Sequence, residues 1–86
     1  MLELPLAISA EEALAECHRR GLVVASRREL AGRAGSNHWH LNVPGKTGTL
    51  ELSEWGGKAW VKVHPLRQGT WALGVAQELA ALQRPG

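Results

Sequence analysis

The sequence predicts an α+β domain in which an antiparallel meander of three or four strands follows one helix and precedes another. Two patterns indicate this fold class. Apolar residues recur at helical spacing near both ends of the chain, and short alternating runs separated by glycine-containing turns lie between them. In chain order the elements are α-β-β-β-β-α, and we expect both helices to cover one apolar face of the sheet.

A chain of 86 residues suits a single domain spanning residues 1–86, with residues 1–8 as an N-terminal extension and 84–86 as a frayed tail. No stretch approaches the roughly 18 apolar residues of a membrane-spanning helix, so we expect no membrane association. Since the lone Cys17 cannot form an internal disulfide, a reducing cytoplasmic location is expected.

The first helix is predicted over residues 10–20. Ser9 and Glu12 match a capping box, in which each side chain bonds the other residue's backbone N–H. Gly21 can adopt the left-handed conformation that ends a helix. The apolar stripe between these signals contains Ala10, Ala13, Leu14 and Cys17, so the cysteine is interpreted as a core residue.

The segment "LVVAS" at residues 22–26 is β-branched and predicts a first strand. The sequence leaves open whether this strand joins the sheet as an edge or packs elsewhere. Residues 27–35 are basic and broken by glycine, which indicates a loop.

Two hairpins define the three following strands. Gly56–Gly57 forms a two-residue turn between alternating runs, and this turn places Leu52 opposite Val61. The segment "VPGKTG" closes the earlier hairpin and places Leu41 opposite Leu50. Both registers send their apolar residues to the same face, and a slip by one residue would destroy that agreement.

The last helix is predicted over residues 70–83, beginning at Gly69 or Thr70. Its apolar stripe consists of Trp71, Val75, Leu79 and Leu82, with Ala72 and Ala76 beside it.

The opposite face of the sheet collects three of the four histidines and two of the four tryptophans. The two registers predict cross-strand rows of Asn42, Thr49 and His64, of His40, Glu51 and Lys62, and of His38, Ser53 and Trp60, with Trp55 beside Lys58 at the turn. The simplest interpretation is a solvated face with a charge ladder, in which each cross-strand pair contributes ~0.2–1 kcal/mol.

A second interpretation is nucleic-acid binding. Residues 1–18 carry four glutamates and no lysine or arginine, whereas residues 19–67 carry nine basic and three acidic residues. An excess of positive charge in the middle of the chain attracts anions. Exposed indoles can stack on unpaired bases. The predicted binding residues are Trp55, Trp60, Lys46, Lys58, His64 and Arg67.

A third interpretation is acid–base catalysis, since histidine titrates near neutral pH. His38 or His40 would deprotonate a ribose 2′-hydroxyl, Glu51 would orient His40, and Lys62 would stabilise the developing anion. A metal site from the same histidines, Glu51 and His64 is a fourth interpretation, which the lack of cysteines or a further histidine motif disfavours. No metal and no cofactor are therefore predicted.

The Gly35–Ser36 step shortly before His38, the "VHP" at residues 63–65 and the Gly69–Thr70 step before the last helix carry a likeness to a known family. Across residues 10–83 the chain resembles the HicA-type mRNA interferase toxins. The resemblance implies a double-stranded-RNA-binding-like fold and places the catalytic histidine of an endoribonuclease at His38. The chain departs from the family by Asn37 before the histidine, by a longer loop after Gly21 and by a less basic start of the last helix.

The sequence therefore predicts a small domain that binds RNA or single-stranded nucleic acid on its open sheet face, with histidine-dependent cleavage as an added activity. The alternative is a non-catalytic protein-interaction module or homodimer, in which a partner covers the exposed Trp55 and Trp60.

Overall fold

A computed structural model describes residues 2–64 and 70–83 of the chain. The elements in chain order are β1 (Leu2–Leu6), α1 (Ala10–Arg19), β2 (Val23–Arg28), β3 (Asn37–Asn42), β4 (Leu50–Trp55), β5 (Lys58–Val63) and α2 (Thr70–Ala81). The five strands form one antiparallel sheet in the order β1-β5-β4-β3-β2. The α+β fold class is confirmed, with five strands where three or four were predicted.

The additional strand comes from the segment predicted as an N-terminal extension. β1 pairs with β5 and places Leu4 opposite Val61. Its alternating leucines are half-buried, while Glu3 and Pro5 face solvent. Pro5 lacks a backbone N–H, and an edge strand tolerates this because one side of its ladder stays unpaired.

The other edge of the sheet is β2, which answers the question that the sequence left open. This strand pairs with β3 and extends to Arg28, so Arg27 and Arg28 belong to the sheet and not to the predicted loop. A bulge between Val24 and Ser26 shifts the register. Every residue of β2 is exposed, since it lies at the border of the helix layer.

Both predicted hairpin registers are confirmed. Leu41 lies opposite Leu50, and Leu52 lies opposite Val61. Gly56 and Gly57 have φ values of 60° and 78°, which agrees with the two positive angles of a type I′ turn.

The helices cover the apolar face that these registers create. Ser9 caps α1 as predicted, since its hydroxyl accepts a bond from the Glu12 N–H and the Glu12 carboxylate accepts one from the Ser9 N–H. Arg20 ends the helix and donates to Glu78 of α2 over 2.8 Å. The core between helices and sheet contains Ala13, Cys17, Leu22, Leu41, Leu50, Leu52, Val61, Val63, Ala72, Ala76 and Leu79.

Cys17 is a core residue, as its place on the apolar stripe predicts. Its side chain is fully buried, and burial raises the pKa of the thiol to about 11, with nearby Arg20 opposing the shift. At pH 8 only about a thousandth of such a group is thiolate, the form that reacts.

We expect iodoacetamide to label Cys17 in denaturant and to leave the folded protein unlabelled, as mass spectrometry would show. Equal labelling rates in both states would contradict the buried position.

Candidate functional site

The sheet face turned away from the two helices, called the open face here, carries alternate side chains of all five strands. His40 lies opposite Glu51, which lies opposite Lys62. In the next row His38 lies opposite Ser53, and Ser53 lies opposite Trp60. These pairings confirm two predicted rows, because directly opposed residues of a sheet project to the same side.

The edge strands lengthen both rows in a way that the sequence did not show. β1 places Glu3 beside Lys62, and β2 places Arg28 beside His38. Among residues 2–64 and 70–83, both helices pack on the opposite face. The open face is therefore a five-strand surface of polar and aromatic side chains.

Four side chains meet near the middle of the open face and form a His–Glu cluster: His38, His40, Glu51 and His64. The Nε2 atom of His38 lies 3.1 Å from Nε2 of His40 and 3.1 Å from Oε1 of Glu51. The Nε2 atom of His64 lies 2.8 Å from the other carboxylate oxygen of Glu51. Glu51 can occupy this centre because β4 is the middle strand of the sheet.

Ser53 forms a hydrogen bond with the His38 ring. Its hydroxyl oxygen lies 2.6 Å from Nδ1 of His38, and the serine is only 2% exposed. The His38 and His40 rings meet edge to face with centroids 4.9 Å apart. Packing and hydrogen bonding thus orient Nε2 of His38 toward His40 and Glu51.

Burial lowers the pKa of His38, although the Glu51 carboxylate opposes this shift by favouring the imidazolium. Positive charge on His40 and Lys62 lowers the pKa further. His38 is therefore a neutral imidazole at pH 7. A neutral imidazole offers a lone pair that can accept a proton or bind a metal ion.

Lys62 keeps its predicted row opposite Glu51 but forms an ion pair with another acidic residue. Its ammonium nitrogen lies 3.7 Å from Oε2 of Glu3, the residue that β1 brings alongside. The two carboxylate oxygens of Glu51 face the histidines instead. The structure brings together His38, His40 and Glu51, and it pairs the fourth predicted catalytic residue elsewhere.

The predicted binding residues do not form one group. Trp55 and Lys58 flank the β4–β5 turn, and Trp55 is 44% exposed. Lys46 is exposed in the β3–β4 connection, where the Thr47 carbonyl accepts a hydrogen bond from the Trp71 indole of α2. Half-buried Trp60 lies opposite Ser53, and His64 belongs to the His–Glu cluster. Arg67 lies outside the described residues, as does the tail at 84–86.

Three contributors to this surface were missed. Arg33 places its guanidinium 5.0 Å from the centre of the Trp55 ring, and Arg28 lies opposite His38. The hairpin registers predict the row of Ser53 but no role for it. Of these three residues, only Ser53 could be placed from the sequence pattern. The position of Arg28 depends on the bulge in edge strand β2, and the position of Arg33 depends on an irregular loop.

Ser36, part of the step that carries the family resemblance, has a structural role here. Its hydroxyl is buried, accepts a bond from the Leu30 N–H over 2.7 Å and donates to the Arg33 carbonyl over 2.6 Å. These bonds hold the loop before β3 and so set the position of Arg33 above Trp55.

Comparison with protein-family models, with curated proteins and with solved structures found no match. Neither described helix has the length and apolar character needed to cross a membrane. The function must therefore be inferred from the open face itself.

The shifted titration of His38 can be measured directly. We expect its ring protons to titrate in two-dimensional NMR with a midpoint below 6.5, and the denatured chain to titrate near 6.5. Glu51→Gln removes the carboxylate that favours the imidazolium, so the midpoint should fall further. A midpoint above 6.5 in the folded protein, or a rise in the variant, would contradict the buried arrangement.

Proposed function

We propose that this protein is a small nucleic-acid-binding domain that holds RNA or another single strand on its open face. The observation that carries the proposal is the combination of the exposed Trp55 indole, the half-buried Trp60 and nearby cations on a sheet face that neither helix covers. A face serving only solvation needs neither indoles nor histidines.

Trp55 supports stacking on an unpaired base. Its ring is exposed on the open face, and Arg33 already lies against it in a cation–π contact. Guanidinium planes and indoles are the groups on which single-stranded bases stack, at ~1–3 kcal/mol per base. Bases in a duplex are already stacked on one another, which favours a single-stranded ligand.

Cations on or beside the open face would hold the phosphates of such a ligand. Lys58 is exposed beside Trp55 at the β4–β5 turn. Arg28 lies at the β2 edge of the row that contains Trp60 and His38. A single strand that crosses the open face between these cations would pass over the two indoles.

Binding can be tested with a short oligoribonucleotide and intrinsic tryptophan fluorescence. At low salt we expect quenching, and Trp55→Leu should weaken binding about fivefold or more because it removes one stacking surface.

Lys58→Ala should reduce the salt dependence of the binding constant, since each neutralised phosphate contributes a slope of about −0.7 in log K against log salt for single strands.

The matched control is Arg19→Ala, which removes an equal charge from an exposed arginine of α1. This variant should bind like the unchanged protein. No quenching at low salt, or an equal loss in the Arg19 control, would contradict the nucleic-acid proposal.

A protein that binds no oligonucleotide and elutes as a dimer would favour the interaction-module alternative. Exposed Val23 and Val24 on edge strand β2 supply an apolar edge for such a contact.

RNA cleavage is a second candidate, and the neutral state of His38 beside Glu51 favours it. A neutral imidazole of the cluster would take the proton of a ribose 2′-hydroxyl. The freed oxygen would attack the adjacent phosphorus and expel the 5′-oxygen, which takes up a proton. The two Nε2 atoms converge on one point, so the pair can serve one side of the phosphorus and not both.

Cleavage can be tested with a gel assay on RNA containing or lacking the 2′-hydroxyl, in the presence of a chelator. We expect His38→Ala and His40→Ala each to lower the rate at least about a hundredfold, the usual contribution of a positioned acid or base. His18→Ala, which changes an exposed histidine of α1, is the control. Full activity in both cluster variants would exclude these histidines from the chemistry.

A further inference from the structure

We propose that the His–Glu cluster is a binding site for one divalent transition-metal ion of the zinc class, with His38, His40 and Glu51 as ligands. The three ligand atoms are Nε2 of each histidine and Oε1 of Glu51. They come from two neighbouring strands and lie within 4.8 Å of one another. This binding requires no nucleic acid, so it stands or falls separately from the proposed function.

The spacing of the three atoms matches a shared ion. With zinc–ligand bonds of about 2.0–2.1 Å and tetrahedral angles, two ligands of one ion are about 3.3 Å apart. The observed separations are 3.1 Å between the two imidazole nitrogens and 3.1 Å from His38 to the carboxylate oxygen. The third separation, from His40 to that oxygen, is 3.8 Å.

The surrounding hydrogen bonds are those that metal-binding side chains require. A ligating histidine normally donates through its second ring nitrogen to a fixed acceptor, which settles the tautomer. The Ser53 hydroxyl can serve as that acceptor for His38, since its oxygen lies 2.6 Å from Nδ1. His64 lies against Oε2 of Glu51 at 2.8 Å and so orients the carboxylate while leaving Oε1 directed at the histidines.

A metal ion would use a lone pair that the cluster already directs inward. When Nδ1 of His38 donates to Ser53, the lone pair on Nε2 faces Nε2 of His40 and Oε1 of Glu51, each 3.1 Å away. In the metal-free protein the Nε2–H of His40 can fill this position, and in the metal-bound protein the cation takes the place of that hydrogen.

The ligand chemistry selects the class of ion. Two imidazoles and one carboxylate suit zinc, cobalt or ferrous iron, whereas magnesium and calcium prefer oxygen ligands alone. The one cysteine, Cys17, belongs to α1 and is buried in the core on the other side of the sheet. Three protein ligands leave a coordination position open for water or a phosphate oxygen. His40, 36% exposed, marks the solvent side of the site.

The test is titration of untagged, chelator-treated protein with ZnCl₂ by calorimetry and with CoCl₂ by visible absorption. We expect one ion per chain and a cobalt d–d spectrum of low coordination number. His40→Ala and Glu51→Gln should each weaken binding by about a hundredfold or more. Ser53→Ala removes only the second-nitrogen partner and should weaken binding ~10–100-fold.

His18→Ala is the matched control and should bind as tightly as the unchanged chain, because this exposed histidine lies on α1. Two ligand variants, checked for folding by circular dichroism, keep the test decisive if one of them is unstable. Absence of binding, unchanged affinity in the folded ligand variants, or an equal loss in His18→Ala would overturn the proposal. Failure of oligonucleotide binding with intact zinc binding would reject only the nucleic-acid function.

Discussion

The pairing of β4 with strands on both of its sides decides which side chains of this molecule are buried. Since side chains alternate along a strand, the two registers send Leu50 and Leu52 to the helices and send Glu51 and Ser53 to the open face. A shift by one residue in either hairpin would send apolar side chains of one strand and polar side chains of its neighbour to the same face. The cost of burying polar or charged side chains unpaired makes the observed registers strongly preferred.

Glu51 is the centre of the open face because the same carboxylate faces three imidazoles. Its side chain is only 14% exposed. A carboxylate so enclosed needs donors or a cation, and the histidines can satisfy it by protonation, by hydrogen bonding or by sharing a metal ion. Proton transfer and metal binding use the same imidazole lone pairs, so a bound ion would compete with histidine-based cleavage. The two proposals for this cluster are therefore chemically distinct.

Much of the scaffold follows from local signals. The capping box at Ser9, the turn at Gly56–Gly57 and the alternation of leucines predicted α1 and the central meander, because each depends on residues close in the chain. The two hairpin registers alone predict that Glu51 lies between His40 and Lys62.

The remaining features depend on contacts that are distant in sequence. β1 pairs with β5, a strand that is distant from it in sequence. Proline is uncommon inside strands, so Pro5 makes the sequence of β1 look unlike a strand. That pairing brings Glu3 within 3.7 Å of Lys62, which still lies opposite Glu51 in the sheet. The convergence of the two Nε2 atoms depends on side-chain rotation, which the hydrogen bond between His38 and the buried Ser53 controls. The alternation of side chains along a strand predicts which face of the sheet a side chain occupies. It does not predict how an aromatic ring is rotated on that face.

The account rests most directly on the position of the β3 histidines above Glu51, away from the helices. A ¹³C-edited nuclear Overhauser spectrum of the folded protein measures that position. It should show contacts between the His38 and His40 rings, whose centroids are 4.9 Å apart, and between the His38 ring and the β-protons of Ser53. Contacts from the His38 ring to core methyl groups such as those of Leu79, with none to His40 or Ser53, would contradict the open face and both proposals built on it.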